Sequence, residues 1–415
     1  MKKRVIIIIT LSVLLIMIFT NCATNSQSRV TGSYIIHTQL DWDTVFTEID
    51  RLGNGTITNF KSYILTINGD IQVQEEIFFP SYVEVTLKGS GTVSVIGNNS
   101  LFTLQSNRIL IINGDVIDGL DKLIIQGNRN SERSIIHVNR NAVLELRNGT
   151  ITGSGSNWGA VRIGGGTFIM SGGNINGNTS VADDRYANML FFADRNLYPT
   201  IPTTEYGNTI DIAVLSGGIY ISDGGTFNMT GGTIAENNAS GYYSSGGGIS
   251  IWNGSFTMSG GSITRNTAAF GGGIAIWNGS ITMTGGSISE NSGPFGGGLY
   301  ITRNASFIMN GGNISHNITG WSGGGVLVTD NASFIMNGGI INGNTGREGG
   351  SGVAVLGENA IFTKIGGIIF GNDVSDENDL NLSGSVLIVR DNNIFHNYEN
   401  TFYENDHLST DNNLP

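Results

Sequence analysis

GGGISIWNGSFTMSGGSITRNTAAF, residues 246–270, runs directly into GGGIAIWNGSITMTGGSISENSGPF, residues 271–295. Two further copies, GGGLYITRNASFIMNGGNISHNITGWS from Gly296 and GGGVLVTDNASFIMNGGIINGNTGREG from Gly323, stretch the period from 25 to 27 residues. A degraded copy follows from Gly350, and two earlier copies begin near Trp158 and Ser216. A repeat of this length marks a solenoid, in which each unit buries its apolar face only against its neighbours.

Within each copy, three short runs alternate apolar and polar residues between Gly or Asn corners: Ile249 and Ile251, then Phe256 and Met258, then Ile263. Alternation at period two means strands. Three strands per coil, each stacked in parallel on its copy about 4.8 Å away, give an all-β, right-handed parallel β-helix with coils of about 25 residues. Each buried column then becomes a ladder of like residues, such as Ile249, Ile274, Leu299, Val326 and Val353, or Phe256, Ile281, Phe307, Phe334 and Phe362. Three residues beyond the third-strand isoleucine stand Asn178, Asn237, Asn266, Asn291, Asn317, Asn344 and Asn372. Their amides are expected to hydrogen-bond along the axis at a left-handed corner, a structural ladder rather than a site.

The pattern extends backwards more loosely through Val83 to Ile96, Leu101 to Ile112 and Ile135 to Leu146, for about 11 coils and a rod on the order of 50 Å long. Ahead of it, Val45, Phe46, Ile49 and Leu52 share one face of a short helix spanning about 43–52, with Asp43 as N-cap, which would plug the open end of the core. At the far end Lys364 falls in the column held by Met258, Met283, Met309 and Met336, so the helix is expected to stop soon after it. The domain plan is a signal peptide over 1–21, an anchor linker over 22–40, the β-helix over 41–372 with an inserted loop at about 180–215, and a C-terminal cap and acidic tail over 373–415.

The N-terminus carries Lys2, Lys3 and Arg4, an apolar stretch from Val5 to Phe19, and then Cys22, the single cysteine of the chain. The apolar stretch is short for a membrane span and suits an export signal. FTNC resembles the lipobox of bacterial lipoproteins, although Asn21 departs from the usual small residue. That resemblance implies cleavage before Cys22 and a lipid on it, and Ala23 carries no Asp-type retention signal. The implied location is the outer membrane or cell surface, with the membrane as partner through the anchor.

Composition narrows the function classes. Glycine occurs 62 times against 5 prolines and only 13% of residues are charged, which suits one long repetitive body rather than several domains. Most of the net charge of −12 sits beyond Asp373, where Arg390 alone opposes the acids. Without a basic stripe, nucleic acid is excluded as a partner. The five histidines are scattered, and neither a calcium nonapeptide repeat nor a phosphate loop occurs, so no metal and no cofactor is expected.

The GGGVLV, ASFIMNGG and SISEN runs resemble the GGGVYV, GTFTMNGG and TISGN repeats of treponeme surface proteins. More distantly they resemble the repeats of chlamydial polymorphic outer-membrane proteins; both belong to the pectate-lyase-like β-helix class. The resemblance covers residues 40 to 372 and implies the fold, whereas the class itself hosts lyases, hydrolases, tailspikes and adhesins.

Outward strand positions in the regular coils read Ser250, Ala275 and Tyr300, then Thr257, Thr282 and Ile308, then Thr264, Ser289 and Ser315, and present no catalytic group. Glu290, between Arg265 and His316 on adjacent coils, reads as part of an exposed charge ladder. Two candidate ligand sites stand out. The insert holds Asp183, Asp184, Arg185, Asp194 and Arg195 among aromatics, and insertions on solenoids often carry function. Trp252 and Trp277 share one outward position, with Phe270, Phe295 and Trp321 along a neighbouring corner, so these aromatics either stack on sugar rings or simply stack on one another. The leading reading is a non-enzymatic surface lipoprotein whose rigid β-helix adheres to glycans or to host or matrix proteins. The alternatives are a polysaccharide lyase or hydrolase with its site at the insert, and a structural envelope component.

Overall fold

The computed structural model describes residues 30–181, 216–241, 244–347, 349–357, 359–370, 386–390 and 393–397. Its chain forms an all-β, right-handed parallel β-helix of three long sheets around one continuous apolar core. In a regular coil the chain passes through sheet I (for example Ile249–Ile251), sheet II (Gly254–Met258) and sheet III (Ser262–Thr264). Among the described residues, sheets I and III have 11 strands each and sheet II has 12. Strands pair in parallel with their copies, Ile249 with Ile274 and Phe256 with Ile281. Glycines occupy corners where the coils touch: a Cβ on Gly272 would lie 2.3 Å from the Ser292 carbonyl oxygen. No side chain larger than hydrogen fits there.

Stacking turns repeated residues into ladders. Phe168 and Phe227 lie 4.8 Å apart with rings inclined by 10°, and Phe307 and Phe334 lie 4.7 Å apart at 13°, all fully buried. The buried asparagines form a second ladder. Asn178, Asn237, Asn266, Asn291 and Asn317 each donate Nδ2 to the Oδ1 of the next at 2.9–3.0 Å. The left-handed residue is not the asparagine but the one before it, Glu236, Arg265, Glu290 or His316, with φ of 54–57°. That turn swings the following amide inward, where it stays in register with its copies.

Three features differ from the reading of the sequence. The N-terminal helix covers Gln39–Leu52 and is capped by Thr38, not Asp43. Thr38 Oγ1 accepts from the Asp41 N–H at 3.2 Å while Asp41 Oδ2 accepts from the Thr38 N–H at 2.9 Å, a reciprocal capping box. The buried face is Trp42, Val45, Phe46 and Ile49, with Leu52 turned to solvent. Trp42 and Phe46 close the core against Phe102, at 6.1 and 6.2 Å between ring centroids. Second, Val30–Ile36, within the stretch assigned to a linker, is a strand of sheet II paired in parallel with Lys61–Ile67. Third, among the described residues sheet II ends at Ile361–Lys364, with Lys364 opposite Met336, while sheet I continues. Val386–Arg390 stacks in parallel on Val353–Leu356, and Asn393–Asn397 returns antiparallel to it. A reversed last strand breaks the parallel register by which further coils would add.

Candidate functional site

Register along sheet I collects residues far apart in sequence into two outward columns. One runs Thr103, His137, Arg162, Tyr220, Ser250, Ala275, Tyr300 and Leu327. The other runs Asn139, Gly164 and Ser222, and continues through Trp252, Trp277 and Thr302, each one residue past its paired isoleucine. The face is therefore ionic in its N-terminal half and aromatic in its C-terminal half.

In the ionic half, side chains of the coils on either side crowd around Gly164. The position of its missing Cβ lies 3.1 Å from His137 Nε2 and 3.8 Å from both Asn139 Oδ1 and Asp223 Oδ2. Asp223 sits in the left-handed region at φ 57°, and Ser222 Oγ donates to its Oδ2 at 2.9 Å. The Arg162 guanidinium lies 4.7 Å from the Trp158 ring centroid, and its Nε–H is buried without a hydrogen-bond partner among the described residues. Burial pushes the His137 imidazole down to about 4, Arg162 and Arg133 push it the same way, and Asp223 opposes them. The histidine is neutral at physiological pH. Beside it Thr103 donates to the Glu76 carboxylate.

In the aromatic half, Trp252 and Trp277 lie 5.8 Å apart at 37°. The reading of both as exposed does not survive. Trp277 is 2% exposed, its Nε1 donates to Ser245 Oγ at 2.7 Å, and Phe270 and Tyr300 pack on it at 6.0 and 5.7 Å. The corner around Phe270 folds back over the sheet, so Ser250, Ala275 and Tyr300, read as outward, are buried, Ala275 and Tyr300 in a second small apolar layer. Trp252 stays half-exposed, and the Arg303 guanidinium lies over both indoles, 4.8 Å from Trp252 and 5.3 Å from Trp277. Phe295 stacks on Phe270 at 5.0 Å, and the exposed Trp321 follows it at 5.0 Å.

His137, Arg162, Gly164 and Asp223 escape a reading confined to the regular coils. Aligning Ile136-His137-Val138-Asn139 on Val161-Arg162-Ile163-Gly164 and Ile219-Tyr220-Ile221-Ser222 would have found them, because the flanking aliphatics mark the same inward positions. Asp183, Asp184, Arg185, Asp194 and Arg195 lie outside the described residues, as do Cys22 and Asn372. Ser216, where the described chain resumes after Val181, pairs with Trp158 at the edge of the ionic half. The charge ladder on the opposite corner includes Glu236 as well as Glu290, with Arg265 3.1 and 3.5 Å from them in exposed ion pairs.

Residues 206–365 match the family model described as the right-handed β-helix region. That match and the parallel stacking of coil on coil in the three sheets fit a β-helix of the pectate-lyase-like kind. No curated protein and no solved structure matches the chain.

Proposed function

We propose that this chain is an exported bacterial surface lipoprotein, anchored through Cys22, whose rigid β-helix binds glycans on the outer face of sheet I and has no catalytic role. One observation carries the binding part of this reading: a single register lines Asn139, Gly164, Ser222 and the half-exposed Trp252 along one column, beside His137 and Arg162. Glycan sites join a few convergent polar groups to aromatic faces, and this face offers both on a support that needs no ordering on binding. The half-exposed Trp252 edge and Trp321 supply apolar surface, and the ionic half supplies hydrogen-bond direction. A glycan array probed with the full chain and with Trp252→Ala tests it. Loss of signal in the variant supports the face; an unchanged profile removes the aromatic half, and no binding by the parent chain defeats the reading. Surface proteolysis of intact cells tests the anchored location.

A second reading, a carbohydrate-active enzyme, gains from the same cluster, because Asp223, His137 and Glu76 are titratable groups on one face. Incubating neutral and acidic polysaccharides with the protein and calcium, and following reducing ends and unsaturated products, separates the two. Turnover abolished by Asp223→Asn would replace the adhesive reading.

A further inference from the structure

We propose that the β-hairpin over residues 115–122 is a docking knob for a partner protein whose surface offers an apolar pocket rimmed by lysines or arginines. The knob stands apart from the sheet I face and does not depend on the glycan-binding reading.

The hairpin is an insertion with a fixed shape. Ten residues, 114–123, separate Asn113 from Ile124, whereas Gly149 alone separates their partners Asn148 and Thr150 in the next coil. The extra length forms the antiparallel strands Val116–Ile117 and Leu120–Asp121, joined through Asp118 and Gly119 at φ 55° and 75°. Two consecutive left-handed residues are what a two-residue hairpin turn requires, and Asp followed by Gly supplies them with little strain. Three hydrogen bonds hold the root. The Asp115 N–H donates to the Gly89 carbonyl at 2.8 Å, the Lys122 N–H donates to the Asp115 carbonyl at 2.9 Å, and Asn174 Nδ2 donates to Asp121 Oδ2 at 2.7 Å. This corner joins sheet II to sheet III and so lies across the core from sheet I. A partner seated there leaves the sheet I face clear.

What the knob carries says what it fits. Ile117 and Leu120 are the cross-strand pair that closes the turn, so their side chains share one face, and Val116 stands on the other. They are 48, 61 and 50% exposed. The fold does not require them, because the next coil turns the same corner on one glycine. Apolar side chains clustered on a rigid projection are interface chemistry. Charge then selects the occupant: Asp115, Asp118 and Asp121 surround the apolar tip, and Lys122 alone opposes them. Asp118 lies at the very end of the turn, so a lipid bilayer takes Ile117 and Leu120 only by burying a carboxylate with them. A second copy presenting the same hairpin sets like charges against each other. A protein pocket with a basic rim receives the apolar pair and answers the carboxylates.

The test uses the full chain in intact cells that make it, with the photo-crosslinking residue p-benzoylphenylalanine at Leu120 or, as a control, at the exposed Thr257 of sheet II. Irradiation is followed by mass spectrometry of the adducts. The expected result is a discrete adduct with a different protein from Leu120→p-benzoylphenylalanine, absent from the control, whose linked peptide sets Lys or Arg beside apolar residues. Asp115→Asn combined with Asp118→Asn removes two charges and keeps a residue that tolerates the left-handed turn, and should lower the adduct yield about fivefold or more. Val116→Ser combined with Ile117→Ser should do the same, while the purified variants melt with the parent because these side chains are exposed. An adduct yield within about twofold of the parent in the carboxamide variant would overturn the basic rim and with it the proposal. Adducts only with lipid, only with a second copy of this chain, or no more than the Thr257 background would overturn the knob. None of these outcomes bears on the glycan array, so the two readings fail separately.

Discussion

Asn291 Oδ1 accepts two hydrogen bonds from Asn266, one from its side-chain Nδ2 and one from its backbone N–H, both at 3.0 Å. The same two-bond link recurs from Asn237 to Asn266 and from Asn291 to Asn317. Each amide also donates to an isoleucine carbonyl of the preceding coil, for Asn266 that of Ile234 at 3.0 Å. The asparagine thus satisfies a backbone N–H that its corner would otherwise bury unpaired. Asn266→Ala leaves the Asn237 N–H and the Ile234 carbonyl without these partners inside the core. We expect a loss of about 1–3 kcal/mol, the cost of one buried orphan N–H at Asn237, read as a lower urea midpoint. Asn266→Asp, which retains the shape but loses the donor, should fall nearly as far.

The residue before each described asparagine of the ladder is held at positive φ, and in two coils it is already glycine, Gly177 at 61° and Gly343 at 60°. Glu290 holds the same conformation at 57° with its carboxylate only in an exposed pair with Arg265 at 3.5 Å. A left-handed non-glycine residue costs about 1–2 kcal/mol, the exposed pair contributes about 0.5 kcal/mol at most, and glycine brings an unfolded-state entropy cost of about 0.5–1 kcal/mol. Glu290→Gly should therefore leave stability unchanged or raise it by up to about 1 kcal/mol. A fall of more than about 1 kcal/mol in thermal or urea unfolding would show that the charge ladder stabilises the coil.

The core was legible wherever copies recur with the same spacing. Ile249 and Phe256 announce inward columns because period two and period 25 agree. The Val30–Ile36 strand is a single copy without glycine corners, so nothing local marks it as part of the stack. The helix start was misplaced because Thr38 and Asp41 cap each other three residues apart, and that reciprocal pair outcompetes a lone Asp43. The ionic half of the candidate face hid for a different reason. Between Ile163 and Ile221 the coil grows far beyond its neighbours, and counting residues loses a register that hydrogen bonding keeps. Burial of Trp277 depends on how the Phe270 corner folds back over the sheet, which alternation along a strand does not encode.

His137 carries a pH dependence with a definite sign. Its folded value of about 4 lies below the ordinary 6.5, mainly because burial disfavours the charged form. Between those values the unfolded chain binds a proton that the folded chain refuses. Stability from this group is thus intact above about pH 6.5 and is lost as pH falls toward 4. Allowing for partial solvent screening, the loss is on the order of 1–2 kcal/mol. Urea unfolding of the parent chain and of His137→Gln at pH 7 and pH 4.5 should converge at the lower pH. A gap that stays constant would mean that His137 does not titrate in this window.

Trp252 and Trp277 occupy one column but do different work, and paired substitutions separate them. Trp277 is buried, bonded to Ser245 Oγ at 2.7 Å and packed between Phe270 and Tyr300. Trp277→Ala should cost about 3–5 kcal/mol, because it opens a cavity and removes the indole donor from a buried hydroxyl. Trp252 is half-exposed under Arg303, whose guanidinium lies 4.8 Å from its ring, so Trp252→Ala should cost only about 1–2 kcal/mol. Glycan binding should follow the opposite order for its direct effect. Trp252→Ala should weaken binding in a protein that still melts near the parent temperature, whereas Trp277→Ala should weaken it only where unfolding has begun. Equal melting temperatures for the two variants would mean that the corner over Trp277 is open in solution, and the aromatic half would then be a two-ring platform.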